Sequence, residues 1–491
     1  VAFVSPHTEK SLSRKSDRNR TILLAGIALV MFATVGVQYA FNQRKKSAAA
    51  AQAARPEVRA RTALADADRY TLEQKIPEVL TALKVAKAAL DEALSTRSAE
   101  IGLLRARLVI TRRLAYVHAQ LGHQAEAREA LDDAVRRAGA LFEGDRTSDR
   151  ARTDRLTTAR ELAVFLRKAK QPVEAYGVLL GAAESVGESL DGLNPSEMLQ
   201  GMMTDIWLDT ANAAGEAKRP DAAMQAAHRA LEQAEAASKS SSDPSNALAR
   251  IYRAASTGAT LADQLERPEV AGFEQRIVEV QKLRVALTPD ADSIRRSWSI
   301  WLAHIADRAV NEDRDADAKK AFAEAVKIRR FLARRRPADM EVQVELVRAL
   351  NAVGAWHSKR GRNEAALKWY AEAAEAAKVL PNDGGRMRLV ALGNQAHMLG
   401  RLDKMVQARV VGLAAYTLAQ ALAKPGEAAP KVDAARAGLR YARVLRARPK
   451  PQKVPARVVV QAELARLEGL KVPRADKVRA ALVELSTELG R

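Results

Sequence analysis

The chain has 491 residues with 99 alanines, 21 aromatics, no cysteine and a formal net charge of +21. Without cysteine there are no disulfide staples, thiolate zinc sites, iron–sulfur clusters or cysteine nucleophiles, and aromatics at 4% leave little stacking surface for bases or sugars. With Ala, Leu, Arg and Glu dominant, 47% hydrophobic and 28% charged residues describe a helical protein rather than a disordered one.

Residues 1–20 form a basic tail carrying Lys10, Arg14, Lys15, Arg18 and Arg20. Residues 21–41, TILLAGIALVMFATVGVQYAF, hold no charge, and about 20 helical residues span a hydrocarbon core of about 30 Å. Tyr39 and Phe41 suit the lipid–water boundary, and Arg44, Lys45 and Lys46 follow as a stop. The competing reading is a cleaved signal peptide. Against it stand the long segment before the apolar run, the length of the run and the lack of a small-x-small cleavage site. The basic residues flanking the span are nearly balanced. Because long domains cross regardless of charge while a short cationic tail resists crossing, the expected arrangement is a single-pass inner-membrane protein, N-terminus cytoplasmic and large domain periplasmic. Gly36 and Ala40 form one small-xxx-small pair, which admits a homo-oligomer.

After an Ala-rich juxtamembrane linker, 42–56, turn clusters recur: EGDRTSD near 143, DGLNPS near 191, SSSDPSN near 240, TPDADS near 288, RRRPAD near 334 and PNDGG near 381. The period is about 48 residues, room for two amphipathic helices split by a shorter break, and such a period marks stacked helical hairpins. Aligning the breaks places Ala67, Ala115, Ala163, Ala211, Ala259, Ala306, Gly354 and Gly393 at one small position on the first helices. Val79, Ala127, Ala175, Ala223, Ala271, Ala318, Ala366 and Met405 open the second helices, and Ala86, Ala134, Ala182, Ala230, Val278, Ala325, Ala373 and Gly412 follow seven residues on. Between these last two sets lies a position usually filled by a larger side chain, such as Leu131, Phe322 or Tyr370, with Gln275 and Arg409 as departures. Helices approach to about 8–10 Å when contact positions are small and one larger residue fills the hollow.

This pattern resembles the tetratricopeptide repeat family. The closest matches are Leu114, Ala115, Gly122, Ala127, Leu131 and Ala134, then Val353, Gly354, Gly361, Ala366, Tyr370 and Ala373, while Trp207 falls on the family's tryptophan position. The likeness covers residues 57–421, with the fifth and eighth units degenerate. It departs where the family closes its repeat with a proline: here stand Asp91, Gly139, Gly187, Glu235, Leu283, Arg330 and Lys378, so the second helix runs on and lengthens the period. The expected fold is an all-α solenoid of about eight such hairpins after one N-terminal transmembrane helix. Residues 422–491 are expected to be a basic linker and a C-terminal helical cap.

The inventory for catalysis is poor. No Walker loop, GxGxxG or HExxH occurs. Gly187 to Gly192 only resembles a nucleophile elbow, with its second glycine one residue late in a turn-rich stretch. None of the seven histidines pairs at metal-ligand spacing with a helical carboxylate, and His118 and His357 share a repeat position with Tyr70, which argues for packing. No catalytic residue, cofactor or metal is assigned. The resemblance implies a binding face on the first helices, where the stripe in the second and third units brings Arg112, Tyr116, Arg160 and Arg167 together as a candidate groove for an acidic peptide. Against that stands the plainer reading of solvated surface arginines in a chain where Arg outnumbers Lys by 55 to 25.

Two denser basic clusters follow, one containing Arg334, Arg335 and Arg336 at a helix end, the other, 431–457, containing Arg440, Arg443 and Arg446 with Asp433 as its single acid. The expected function is a non-enzymatic membrane-anchored scaffold that contacts other proteins of an envelope complex. Nucleic acid is disfavoured for a domain outside the cytoplasm with no reading module. The alternative is a cytoplasm-facing regulatory module that binds an acidic partner, anionic lipid or nucleic acid.

Overall fold

The computed structural model describes residues 55–490 except 192, 194, 381, 424–426 and 448–450. The apolar run 21–41 expected to cross a membrane lies outside the described residues, and among those described no helix is long and apolar enough to do so. The described chain is all helical repeat, without a strand, and divides into two compact units, the first ending at Val270.

The first unit contains four helix pairs, α1 (Arg55–Leu72) with α2 (Ile76–Thr96), α3 (Ile101–Gln120) with α4 (Gln124–Gly144), α5 (Asp149–Lys168) with α6 (Pro172–Glu188) and α7 (Glu197–Glu216) with α8 (Pro220–Ser240), followed by α9 (Pro244–Gln264). The second opens with α10 (Val270–Leu287) and continues with α11 (Asp292–Asn311) and α12 (Asp315–Arg335), α13 (Met340–Lys359) and α14 (Asn363–Ala376), and α15 (Asn382–Arg401) and α16 (Met405–Leu422). Beyond these lie α17 (Ala428–Arg446), α18 (Lys453–Arg466) and α19 (Pro473–Gly490). Much of the stretch expected as a linker is therefore helix α17, which buries Val432, Ala435, Leu439 and Ala442 on one side and keeps its arginines on the other.

Local chemistry explains where helices start and stop. The clusters between hairpins supply caps: Ser148 accepts from the Ala151 N–H, Ser196 from Leu199, Asp243 from Ser245 and Asn246, and Asp339 from Glu341 and Val342. The break inside each hairpin turns on one left-handed residue. Gln74, Gly122, Lys170, Lys218, Glu266, Asp313, Gly361 and Asp403 all have φ between 53° and 79°, and the following N–H donates to the carbonyl five residues back, as His123 does to His118 and Gln171 to Leu166, both at 2.9 Å. This is a Schellman closure, and glycine occupies only two of the eight positions.

Those turns correct two registers. Asp403 is the eighth left-handed residue, which moves that unit's small positions by three, from Gly393 and Met405 to the buried Ala396 and Ala408. In α10 the buried residues include Val270, Phe273, Glu274, Ile277, Val280 and Gln281, whereas Ala271 and Gln275 are exposed: three residues rather than one separate the fifth turn from this helix, and its buried face falls one residue earlier than the alignment placed it. The other small positions are buried as expected, with Ala67, Ala127, Ala134, Ala175, Ala182, Ala211, Ala223 and Ala230 all at 0% exposure.

Within each unit the first helices of successive hairpins pack against one another, α5 on α7 and α7 on α9, then α13 on α15 and α15 on α17, while second helices lie on the outer side. The left-handed turns give a paired test, because a Cβ in that conformation costs about 1 kcal/mol. Lys170→Gly is expected to raise the unfolding free energy by up to about 1 kcal/mol and Gly122→Ala to lower it by a similar amount, read from urea midpoints. Shifts of the same sign for both would contradict the assignment.

Candidate protein interface

The stacking of first helices decides the fate of the arginines singled out above. A 48-residue period makes residue i face residue i+49 one turn of the array later. Arg112 Nε meets Glu161 at 2.7 Å, Arg160 Nε meets Asp209 at 2.6 Å and Arg167 Nε meets Glu216 at 2.9 Å, each pair 49 residues apart. Arg160 also reaches Asp205 at 3.3 Å, and Asp205 is shared with Arg253 from the next first helix. Arg167 and Glu216 make two parallel bonds that hold the Glu216 carboxyl below the usual carboxylate range. The expected cationic groove in α3 and α5 is thus a neutralised ladder that ties hairpin to hairpin. Tyr116 stands in the open beside it at 50% exposure and accepts a hydrogen bond from Gln120 at 2.9 Å.

The cluster at 334–336 is similarly engaged. Arg336 meets the buried Asp292 at 2.7 Å and Arg335 meets Asp290 at 3.2 Å, stapling the end of α12 to the start of α11, while Arg334 is exposed. Further up α12, Arg330 binds Glu372 at 2.6 Å and lies over Trp369. The elbow lookalike is also accounted for: the Ser189 hydroxyl donates to the Val186 carbonyl at 2.7 Å and accepts from the buried Arg152 at 2.9 Å, with Gly192 outside the described residues. Among the described residues no three His, Asp or Glu side chains gather as a metal site.

The C-terminal cluster differs. Arg446 pairs with Glu488, and Asp433 is taken by Arg386 at 2.7 Å. Among the described residues no carboxylate meets Arg436, Arg440 or Arg443 of α17, or Arg401 of α15. Arg440 lies across α15 against Gly393, where a Cβ would fall 2.8 Å from its Nη1, so the missing side chain makes room for the guanidinium. Burial and the neighbouring Arg436 lower the Arg440 pKa from its ordinary value, and burial together with Arg401 and Arg440 lowers that of His397. Arg436, Arg440 and Arg401 form one cationic patch on the first-helix face of the second unit, with His397 beside them held toward its neutral form. Of these four, sequence reasoning named Arg440 and enclosed Arg436 in the 431–457 cluster. Between α15 and α17 the offset is 47, as Gly393 against Arg440 and Arg386 with Asp433 show; counting back by it from Arg436 and Arg440 reaches Leu389 and Gly393, and counting on from His397 reaches Val444, so none of these three faces an acid.

His118 is a packed side chain, 8% exposed, its Nδ1 3.4 Å from that of His123 across the turn. Burial and Lys84 lower its pKa against an opposing pull from Glu126. His357, at the equivalent position, is lowered by burial and Arg362.

No protein-family model matches the chain, and no curated protein does. Among solved structures, the apo form of RapI aligns with 65% of this chain and 98% of its own at 13% identity, with a TM-score of 0.31. A signal transduction ATPase with a tetratricopeptide repeat sensor from Pyrococcus horikoshii aligns over 82% of this chain and 55% of its own at 12% identity, TM-score 0.39. A tetratricopeptide repeat protein from Parabacteroides merdae aligns over 68% and 99% at 12% identity, TM-score 0.28. The class is set by this chain's own hairpins, with their small positions and left-handed turns in register: it is an all-α helical repeat protein whose hairpins resemble tetratricopeptide repeats.

A lowered histidine pKa means the folded state favours the neutral ring. The stability it contributes is full above the ordinary imidazole value of about 6.5 and is lost as pH falls below it. Urea midpoints are expected to drop between pH 7.5 and 5.5, and His118→Gln to reduce that drop. An unchanged slope in the variant would remove His118 from the account.

Proposed function

We propose that this chain is a non-enzymatic, membrane-anchored interaction scaffold, held by residues 21–41 with its repeat domain in the periplasm, and that an acidic segment of a partner protein docks on the first-helix face of α15 and α17. The observation that carries the docking site is the contrast in charge pairing. In the first unit Arg112, Arg160 and Arg167 each meet a carboxylate of the next first helix, whereas Arg436 and Arg440 meet none among the described residues. A partner that supplies carboxylates there completes the ladder, with charge-assisted bonds of the kind guanidinium groups favour. Support for the anchor is the uncharged run itself with its cationic flanks. The partner is expected to be a component of an envelope assembly.

Two experiments test the parts separately. In the first, C-terminal fusions to a phosphatase active only outside the cytoplasm and to a reporter active only inside it are compared. Phosphatase activity alone is expected, and the reverse result establishes the cytoplasm-facing alternative. The second is crosslinking of the full chain in membranes followed by purification. The double reversal Arg436→Glu with Arg440→Glu is expected to weaken capture of the defined partner at least about tenfold, consistent with loss of two charge-assisted bonds, while Arg112→Glu leaves capture intact once folding is checked. Equal capture by the α17 double variant would move the site elsewhere.

A further inference from the structure

Second helices along both units show solvent a mixed surface, and exposed acids occur on each from α2 to α14: Glu78, Glu126, Glu174, Asp221, Glu279, Asp317 and Glu364 in turn. The last two break this rule. Met405–Leu422 contains no acid at all, and its outward residues include Val406 at 76% exposure, Val410 at 66% and Leu413 at 48%. These lie at i, i+4 and i+7, one stripe of a helix. The one acid of α18, Glu463, is fully buried and accepts from the Tyr416 hydroxyl of α16 at 2.7 Å, while Val454 and Val458 are 72% and 60% exposed. Acids near these helices, Asp403 and Glu468, stand in the turns beyond their ends.

Second helices of successive hairpins run side by side. Arg128 meets Glu174 and Arg330 meets Glu372 at sequence offsets of 46 and 42. A comparable offset sets Val410 and Leu413 beside Val454 and Val458. Lys404 at the head of α16 and Lys453 and Arg457 on α18 are exposed around the same ridges. A folded surface gains nothing in water from five branched or long apolar side chains in the open, and exposed apolar stripes of this kind mark a covered face.

We propose that the outer face of α16 and α18 rests on an anionic lipid surface. The charge pattern selects this occupant. Apolar side chains that enter the headgroup boundary, a rim of cations and the exclusion of every exposed acid are what a negatively charged bilayer requires, and a proteinaceous surface that matched the stripe would not require the acids to be absent. The face is separate from the Arg436 and Arg440 patch, which lies on the first helices, so the two proposals fail independently.

The absence of cysteine allows a direct test on the full chain. Single variants Val410→Cys, Val458→Cys and, as a control on the outer side of α14, Glu364→Cys carry an environment-sensitive fluorophore and are reconstituted in phosphatidylcholine vesicles with or without one-third phosphatidylglycerol. Labels at 410 and 458 are expected to shift to the blue with phosphatidylglycerol and to return as salt is raised, while the label at 364 stays as in water. Adding Val406→Glu and Val454→Glu is expected to reduce the shifted fraction at least about fivefold. No shift at 410 and 458 overturns the proposal, as does an equal shift in pure phosphatidylcholine. A shift without vesicles that grows with protein concentration also overturns it and assigns the face to a second copy of the chain.

Discussion

Close approach of helices at alanine is the constraint on which the rest of this structure depends. Side chains at Ala127, Ala134, Ala175 and Ala182 have no exposure, and with a single carbon at each crossing the hairpins stack at a short, regular distance. Regularity then does further work at a distance from the contacts themselves. Because successive first helices repeat at 48 residues, an arginine at i finds its carboxylate at i+49 with little adjustment, and four such pairs, the fourth being Arg296 with Glu345 in the second unit, recur with bonds of 2.6 to 2.9 Å. The ladder is a consequence of the packing, and each half-exposed pair adds only about 0.2–1 kcal/mol. Its larger effect is to cancel charge along the first-helix face of the first unit.

Where packing departs from this rule, function becomes readable. In the second unit a glycine stands at 393, and Arg440 occupies the space its side chain would have filled. Among the described residues no acid faces Arg440 across α15, and the guanidinium is left with the cationic neighbour Arg436, while His397 beside it is held toward its neutral form. Arg436 and Arg440 are exposed like charges held side by side, an unfavourable arrangement within a domain. The same arrangement is favourable in a binding face, because a ligand carboxylate both relieves the repulsion and gains the bonds. The +21 net charge therefore has an uneven meaning: much of the arginine content is internal mortar, and a smaller fraction is presented.

Most of the architecture was legible in the sequence because the signals were redundant. Turn clusters at a 48-residue period, small residues in register and helix-forming composition all pointed to stacked hairpins, and no single one needed to be right. Registers failed where redundancy failed. In α10 an altered connection after the Glu266 turn left Ala271 looking like a core position by identity alone, when Val270 and Glu274 take that face. In the eighth unit Gly393 imitated the expected small residue, whereas Asp403 adopts the left-handed conformation at a real energetic cost and sets the register three residues on. Composition misled at α17, where a run of arginines and prolines suggested a linker and the alanines on its other side form a helix.

The candidate site was less legible for a related reason. A stripe of arginines on one helix is a statement about one element, and whether it is free depends on the facing element, 49 residues away. Arg112 and Arg440 are indistinguishable by type and by their place on a first helix. Glu161 opposite one, and the absence of a carboxylate opposite the other, separates them. A repeat protein gives its own period as the ruler for this comparison, so free and paired charges are distinguishable once the register is known to within one residue. The same ruler applied to second helices isolates α16 and α18, whose outer faces have lost the acids that every earlier second helix carries. In the terminal hairpins the outer faces of α16 and α18 lack exposed acids, and on α17 Asp433, paired with Arg386, is the single acid beside unpartnered arginines. Along the first helices of the first unit Arg112, Arg160 and Arg167 keep their carboxylate partners.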